Sequence, residues 1–180
     1  MPKSSPRRTS FATFLRDATP ADLRAALREV HDSFPEVKAF FAARSGPTGT
    51  SDALASARAA ITDEFYPSRG YGKARASVVR RVLASFARIT RDPTMRADLL
   101  LHHVELGVRF TNDFGDIDEA FYSSIETSFR QATTLLTTPA LQKAFYKRCH
   151  AAVRDSDGIG WGFHDELENI FSSCFPEEPK

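Results

Sequence analysis

Hydrophobic residues recur along most of this chain with the three- and four-residue spacing of an amphipathic α-helix. The spacing is clearest after Ala97, where two neighbouring rows of apolar residues make one broad stripe. The rows are Leu101, Val104 and Val108, and Leu99, Leu106 and Phe110. A stripe of this width is typical of a helix that buries one face in a protein core. The segment therefore predicts a long central helix.

Start and stop signals place seven further helices around the central one. In the first of them, Thr19 can cap the helix, Pro20 suits its first position and Asp22 complements its dipole. The seven helices are predicted at about 20–32, 35–44, 52–66, 78–89, 118–137, 139–153 and 163–174, with loops at 45–51, 67–75 and 155–162. No strand-like alternation occurs between them. We predict an all-α fold of about eight helices, arranged as an antiparallel helical bundle or a short array of helix pairs.

The length and composition are those of one globular domain. A chain of 180 residues with 42% hydrophobic residues can bury a substantial core without disulfides or metals. The first residues are polar, and Pro176 is followed by the acidic end of the chain. We predict a mobile tail at 1–12, a single helical domain at 13–175 and an acidic tail at 176–180.

Several classes of protein are not indicated. Cys149 and Cys174 lie in separate predicted helices without CxxC spacing, so neither a zinc knuckle nor a disulfide framework is expected. No apolar run approaches the roughly 18 residues that a membrane span needs, and no hydrophobic signal core follows the basic N-terminus. We expect a cytoplasmic protein that binds no membrane and requires no cofactor.

The net charge of +1 conceals an uneven distribution. Residues 1–81 contain 14 Lys and Arg against 8 Asp and Glu, whereas residues 82–180 contain 10 against 15. If the two halves also separate in space, the molecule is dipolar. Such a molecule is suited to self-association or to binding a protein of complementary charge.

The polar face of the central helix is the most informative feature of the sequence. Polar residues follow one another there at steps of three and four and lead into an acidic turn. They are Asp98, His102, Glu105, Arg109 and Asn112 on the helix, then Asp113, Asp116 and Asp118 in the turn. Glu105 and Arg109 have the favourable i, i+4 spacing, so we expect an ion pair between them. The line from His102 to Asp118 is a candidate surface for a partner or ligand.

A second candidate surface is the glycine-rich loop DSDGIGWG, residues 155–162. It presents Trp161, and the next helix starts with His164 and Asp165 close by. Trp161 is either an exposed anchor for a partner or a plug that closes the end of the core, and we favour the plug. Because this loop and the acidic turn are both polar and flanked by apolar helices, we predict that they pack together.

Metal-assisted hydrolysis is one alternative function. His102 with Glu105, and His164 with Glu168, have spacings that place two ligands on one helix face, and Asp116 could complete a shell. Neither HExxH nor a repeated ExxH pattern is present, so no metal is expected. A nucleophilic site is not indicated either, since GxSxG is absent and Cys149 falls on an apolar row.

Nucleic-acid binding is a second alternative. The loop 67–75 combines glycines, an aromatic residue and cations, and further arginines follow in the next helix. The candidate residues are Arg69, Lys73, Arg75, Arg80 and Arg81. The loop matches no P-loop pattern, and the overall charge does not favour nucleic acid.

Four segments carry a resemblance to known proteins. In chain order they are HDSFPEVKAFF, FYPSRGYGKAR, VELGVRFTNDFGDIDEAFYSS and DGIGWGFHDEL. Through these segments the sequence resembles an uncharacterised bacterial domain family of unknown function, whose members show closely similar segments in the same order. The resemblance implies an all-helical domain and assigns no activity, cofactor or site residue.

The leading functional hypothesis is therefore a non-enzymatic adaptor or regulatory module. It would bind another protein, or a second copy of itself, through the polar line and the Trp161 loop. The large helical surface, the uneven charge and the lack of a complete catalytic motif all favour this interpretation over an enzyme.

Overall fold

The computed structural model describes residues 10–178 of the chain, with the backbone alone at positions 36, 39, 43 and 47. In this range it contains nine helices and no strand, which confirms the all-α prediction. The helices are α1 (Phe11–Asp17), α2 (Pro20–Ser33), α3 (Pro35–Arg44), α4 (Pro47–Phe65), α5 (Ala76–Ile89), α6 (Pro93–Phe114), α7 (Glu119–Leu135), α8 (Pro139–Asp155) and α9 (Phe163–Cys174). Most of the predicted N-terminal tail, residues 1–9, and the last two residues of the acidic tail lie outside the described range.

Contacts within the chain define two units, residues 1–42 and 43–180. Both units lie largely within residues 13–175, the range that the sequence analysis assigns to a single helical domain. The first unit contains α1, α2 and most of α3, and neither α1 nor α2 has a buried residue. The second unit contains the other six helices and the hydrophobic core.

Local capping interactions begin α1 and α2, two of the helices of the first unit. At α2 the predicted cap is present: the amide of Asp22 donates to Thr19 Oγ1 at 3.2 Å, and the amide of Thr19 donates to Asp22 Oδ2 at 3.0 Å. The helix α1 is absent from the sequence prediction, which assigns residues up to 12 to the tail. Ser10 starts α1 by accepting a hydrogen bond from the amide of Thr13 at 3.2 Å.

Helix α4 begins earlier than the sequence predicts. The stretch 45–51 is rich in Gly, Ser and Thr and is predicted to be a loop, but α4 already starts at Pro47. A proline fits the first helical position because its amide would have no helical partner there, and its fixed φ suits the helix. This position of Pro47 outweighs the turn-like composition, so the loop prediction is wrong from residue 47 onward.

The central helix α6 is surrounded by α4, α5, α7 and α8. Eleven of its 22 residues are buried, as expected for a helix inside a bundle rather than on its surface. Helix α7 packs especially close, since a Cβ on Gly107 would lie 2.2 Å from Ile125 Cδ1. The prediction of a central helix is confirmed.

Aromatic side chains connect the helices of this core. The ring of Phe65 on α4 contacts Phe110 on α6 and Phe121 on α7, with centroids 5.6 Å and 6.2 Å apart. Tyr122 on α7 contacts Phe163 on α9 at 4.9 Å. Such tilted and edge-to-face pairs bury large apolar areas and fix the relative positions of the helices.

No helix in the described part of the chain has both the length and the apolar character that crossing a bilayer would require.

Candidate functional site

The acidic turn after α6 and the glycine-rich loop before α9 lie against each other. Gly160 is so close to Asp116 that a Cβ at this glycine would lie 3.1 Å from Asp116 Oδ2. The side-chain amide of Asn112 also donates to the backbone carbonyl of Asp155 at 2.8 Å. The predicted packing of these two segments is therefore confirmed. We call the surface formed by residues 112–118 and 155–165 the acidic surface.

The acidic turn is fixed by its own side chains. Asp118 caps α7 by accepting a hydrogen bond from the amide of Phe121 at 2.8 Å. The hydroxyl of Tyr122 donates to Asp116 Oδ1 at 2.8 Å and accepts from the amide of Ile117 at 3.3 Å. Burial of Tyr122 raises its pKa, so the phenol stays protonated and remains a donor to Asp116 at neutral pH. These hydrogen bonds to Asp118, Asp116 and Ile117 define the shape of the turn.

Trp161 does not close the end of the core, so the favoured interpretation of this residue is wrong. Its side chain is 65% exposed, whereas the neighbouring Phe163 is fully buried against Tyr122 and fills the place expected for the tryptophan. Trp161 has a φ of +63°, in the left-handed region that non-glycine residues rarely adopt. Gly162, at +69°, continues this turn into α9.

Two more apolar side chains are exposed on the acidic surface. Phe114 is 57% exposed at the end of α6, and Ile117 is 38% exposed in the turn. Together with Trp161 they give this region three exposed large hydrophobic groups. Exposed large apolar groups on one surface are often part of a binding site.

Most of the charge on the acidic surface is negative, and part of it is unpaired. Arg109 pairs with Asp113 at 3.4 Å and lies over the ring of Tyr66, and Arg154 pairs with Asp155 at 2.8 Å. Asp157 and Asp165 form no side-chain hydrogen bond or ion pair with any described residue. The exposed apolar groups are therefore accompanied by two carboxylates that no described residue neutralises and that could pair with a partner's cations.

In the N-terminal part of the polar line on α6, charged side chains form a cluster with residues of α4 and α8. Arg148 of α8 donates to both oxygens of Glu105, at 2.7 Å and 2.9 Å, and to Asp98 Oδ1 at 2.6 Å. Arg58 of α4 donates to the other oxygen of Asp98 at 2.7 Å. A bidentate ion pair of this kind is stronger than an exposed ion pair between neighbouring turns of one helix. The expected ion pair between Glu105 and Arg109 is therefore wrong, because Glu105 is taken by Arg148.

The candidate metal ligands do not converge. His102 Nε2 lies 2.9 Å from Thr62 Oγ1, and burial lowers its pKa. Near the other end of α6, His164 Nδ1 lies 2.9 Å from Ser156 Oγ, and Glu168 is exposed on α9. In the described part of the chain, no three His, Cys, Asp or Glu side chains are grouped as a metal shell would require. Glu105 and Asp116 instead bind Arg148 and Tyr122.

The basic loop is anchored to α4 through one of its own cations. Arg75 donates to both oxygens of the buried Glu64, at 2.7 Å and 2.9 Å. Gly72 permits this packing, since a Cβ there would lie 1.8 Å from the carbonyl oxygen of Phe65. Arg75 thus has a structural partner, while Arg69 and Lys73 in the loop and Arg80 and Arg81 on α5 are exposed.

A fully buried polar pair between α6 and α7 has no counterpart in the sequence-based prediction. His103 is 2% exposed, and its Nδ1 lies 2.8 Å from the hydroxyl of Ser128, which is 3% exposed. The only signal in the sequence is that His103 occurs among the apolar residues of α6, away from the polar line. The pairing with Ser128 depends on how α6 and α7 pack and has no motif of its own.

The comparisons with known proteins identify a family to which no activity is assigned. The search of curated proteins and the search of solved structures each returned no match. The family model described as a family of unknown function (DUF6155) matches residues 7–174, which is nearly the whole chain. The expected resemblance to an uncharacterised domain family is thereby confirmed, and this helical chain belongs to the DUF6155 family of unknown function.

Proposed function

We propose that this protein is a cytoplasmic, non-enzymatic interaction module that binds another protein through its acidic surface. The observation that carries the proposal is Trp161, which is 65% exposed on a left-handed backbone. Tryptophan contributes more binding energy at protein interfaces than most residues when a partner's pocket receives it. Strained backbone of this kind is found mainly at functional sites, where other contacts hold it in place.

The chemistry of the acidic surface defines the kind of partner. Its apolar groups are Trp161, Phe114 and Ile117, and its carboxylates without an ion pair to any described residue are Asp157 and Asp165. A complementary protein segment would carry apolar side chains flanked by Lys or Arg. Charge complementarity would speed the encounter and select this class of partner, while the apolar contacts would supply most of the affinity.

The geometry of the surface favours binding over catalysis. Asp116 is held by Tyr122, Asp118 by the first turn of α7, and the loop by Asn112. A surface that is ordered before binding loses little conformational entropy when the partner arrives. The carboxylates of the turn are engaged in holding this shape.

A peptide selection tests the proposal with a matched control. Random short peptides displayed on phage are selected on the wild-type protein, on Trp161→Ala and on Tyr71→Ala. Tyr71 is an equally suitable aromatic to remove, since it is 90% exposed but lies in the basic loop. We expect peptides rich in Lys or Arg with apolar residues between them, which bind wild type and Tyr71→Ala but not Trp161→Ala.

Fluorescence and sedimentation complete this test. Trp161 is the only tryptophan of the chain, so its emission should shift to shorter wavelength when a selected peptide covers it. Peptides that bind Trp161→Ala as well as wild type, or that are mainly acidic, would refute the proposal. Self-association of the protein alone that depends on Trp161 would replace the proposed partner with a second copy of the chain.

A further inference from the structure

A cavity separate from the acidic surface lies between α5, α6 and α7. Its volume is about 510 Å³, within the range of small-molecule sites. The floor is formed by buried side chains, which are Phe86, Leu99, Leu100 and Ser128. The rim is exposed and includes Arg80, Ser123, Thr127 and Gln131. The cavity therefore combines an apolar floor with a polar mouth that solvent can reach.

Two arginines line this cavity without any counter-charge. None of the described residues that line it is acidic, and neither Arg80 nor Arg96 forms an ion pair with a described residue. Among the side chains that the structure describes, Arg96 Nε is the one buried polar atom that lacks a hydrogen-bond partner. Burying a cationic donor without a partner costs free energy, which an anion beside the guanidinium would recover.

Ser128 adds a positioned hydroxyl to the floor. Its Oγ lies 2.8 Å from Nδ1 of His103. The ring of Phe65 on α4 also lies 5.7 Å from the His103 ring, His102 is its neighbour on α6, and no carboxylate of the residues that the structure describes forms an ion pair with His103. Burial lowers the pKa of His103 to about 4, which leaves a neutral imidazole with little affinity for the serine proton. The pair is suited to holding a hydroxyl in place rather than to activating it as a nucleophile.

We propose that this cavity binds a small organic anion, in which a carboxylate or phosphate group is attached to a short aliphatic body. The oxyanion pairs with Arg96, and Arg80 contributes from the rim. The aliphatic body lies on Leu83, Phe86, Leu99 and Leu100, and the hydroxyls of α7 bind the remaining oxygens. Charge-assisted bonds from two guanidinium groups orient the oxyanion, while the apolar floor excludes fully hydrated ions.

Four test ligands separate the parts of this proposal. Octanoate and octyl phosphate share the aliphatic body and differ in the oxyanion, 1-octanol lacks the charge, and inorganic phosphate lacks the body. Calorimetric titration of the full chain should detect octanoate or octyl phosphate, and comparison of the two identifies the preferred oxyanion. We expect 1-octanol and inorganic phosphate each to bind at least about ten-fold more weakly, the factor that about 1.4 kcal/mol represents.

Matched variants test the residues. Arg96→Gln should weaken binding of the better anion at least about ten-fold, as loss of a charge-assisted hydrogen bond does. Arg88→Gln, which removes an exposed arginine of α5 that does not line the cavity, should leave the affinity unchanged. Ala84→Phe fills the mouth and should also abolish binding, whereas Ser85→Phe on the same helix lies outside the lining and should not.

Three results would overturn the proposal. They are equal affinity for octanoate and 1-octanol, retention of binding in both Arg96→Gln and Ala84→Phe, and the absence of binding by any of the four ligands. If Arg96→Gln does not fold, the comparison of Ala84→Phe with Ser85→Phe decides the location, and the alcohol decides the role of charge. None of these measurements depends on Trp161 or on a protein partner, so this proposal and the proposed interaction function stand or fall separately.

Discussion

Two polar regions of the bundle differ in whether their charged side chains are paired. Around Arg148, three other charged side chains from α4 and α6 complete a network in which every guanidinium faces a carboxylate, at distances of 2.6–2.9 Å. Around the cavity, Arg96 and Arg80 face no carboxylate among the described residues, and His103 is buried in the neutral form.

The difference distinguishes charged side chains that stabilise the fold by pairing with each other from charged side chains that are suited to binding a ligand. A partly buried network with matched charges holds helices together, and removing Arg148 leaves Glu105 without its cation and Asp98 with Arg58 alone. Arg96 is a half-buried cation whose buried Nε has no hydrogen-bond partner among the described residues, and such a group does not stabilise the fold by itself. Its presence is explained by a ligand that supplies the missing charge, which is why the cavity, and not the Arg148 cluster, carries a binding proposal.

The largest effect in this comparison is expected from the titration of His103. Because burial lowers its pKa from 6.5 to about 4, the unfolded chain takes up a proton below about pH 6.5 while the folded chain stays neutral. The free energy of unfolding should therefore be at its full value above pH 6.5 and fall by about 3 kcal/mol as the pH approaches 4. Urea denaturation measured between about pH 7 and 5 checks this decline before carboxylates titrate.

Two histidine variants give the control. His103→Gln should flatten the decline in unfolding free energy between about pH 6.5 and 5. His102→Gln should keep most of it, because His102 is only half-buried and is bonded to Thr62. An unchanged pH dependence in His103→Gln would show that this histidine is not the group responsible.

The second largest effect should follow from breaking the charge cluster. Arg148→Ala leaves Glu105 and Asp98 with fewer partners in a partly buried setting, and we expect the free energy of unfolding to fall by about 2–3 kcal/mol. Arg154→Ala on the same helix removes an exposed cation and should change it by less than about 0.5 kcal/mol. Equal effects of the two substitutions, measured by urea denaturation, would mean that the Arg148 network contributes no more than a surface pair.

A smaller effect of opposite sign is expected on the cavity side. Arg96→Met keeps most of the side-chain volume and removes a charge that has no counter-charge among the described residues. The free energy of unfolding in the absence of ligand should stay the same or rise by up to about 1 kcal/mol. A loss of 2 kcal/mol or more, on the order of breaking a buried charge pair, would contradict the difference drawn between Arg96 and Arg148.

The smallest effect is expected at the acidic surface. Trp161 has a φ of +63° and little burial, so Trp161→Gly should relax the backbone and raise the melting temperature slightly, by the equivalent of about 0.5 kcal/mol. Gly158→Ala should do the reverse, because its φ of +80° suits glycine. Calorimetric melting of both variants checks this, and a clear destabilisation by Trp161→Gly would mean that the tryptophan packs on the fold.

Local interactions explain how much of the fold the sequence predicts. The buried stripe of α6, the capping box at Thr19 and the cap at Asp118 depend on residues three or four positions apart, which a reader of the sequence sees together. The missed start of α4 at Pro47 and the missed α1 are also local, and there turn-like composition concealed a valid helix start. The acidic turn and the glycine-rich loop were likewise recognised as neighbours from their composition.

The candidate sites depend on contacts between residues that are far apart in the sequence, which the spacing of residues along one helix does not predict. Glu105 pairs with Arg148, 43 positions away, because α8 packs beside α6, and this two-pronged contact displaces the pair expected with Arg109. Trp161 and Phe163 are both large aromatics near one helix start, and only the turn of the backbone decides that Phe163 enters the core. The sequence alone determined the helices and their apolar faces, because these follow from the helical period. The packing of the helices in three dimensions decided which charges are paired and which are not. It also decided where a cavity opens between α5, α6 and α7.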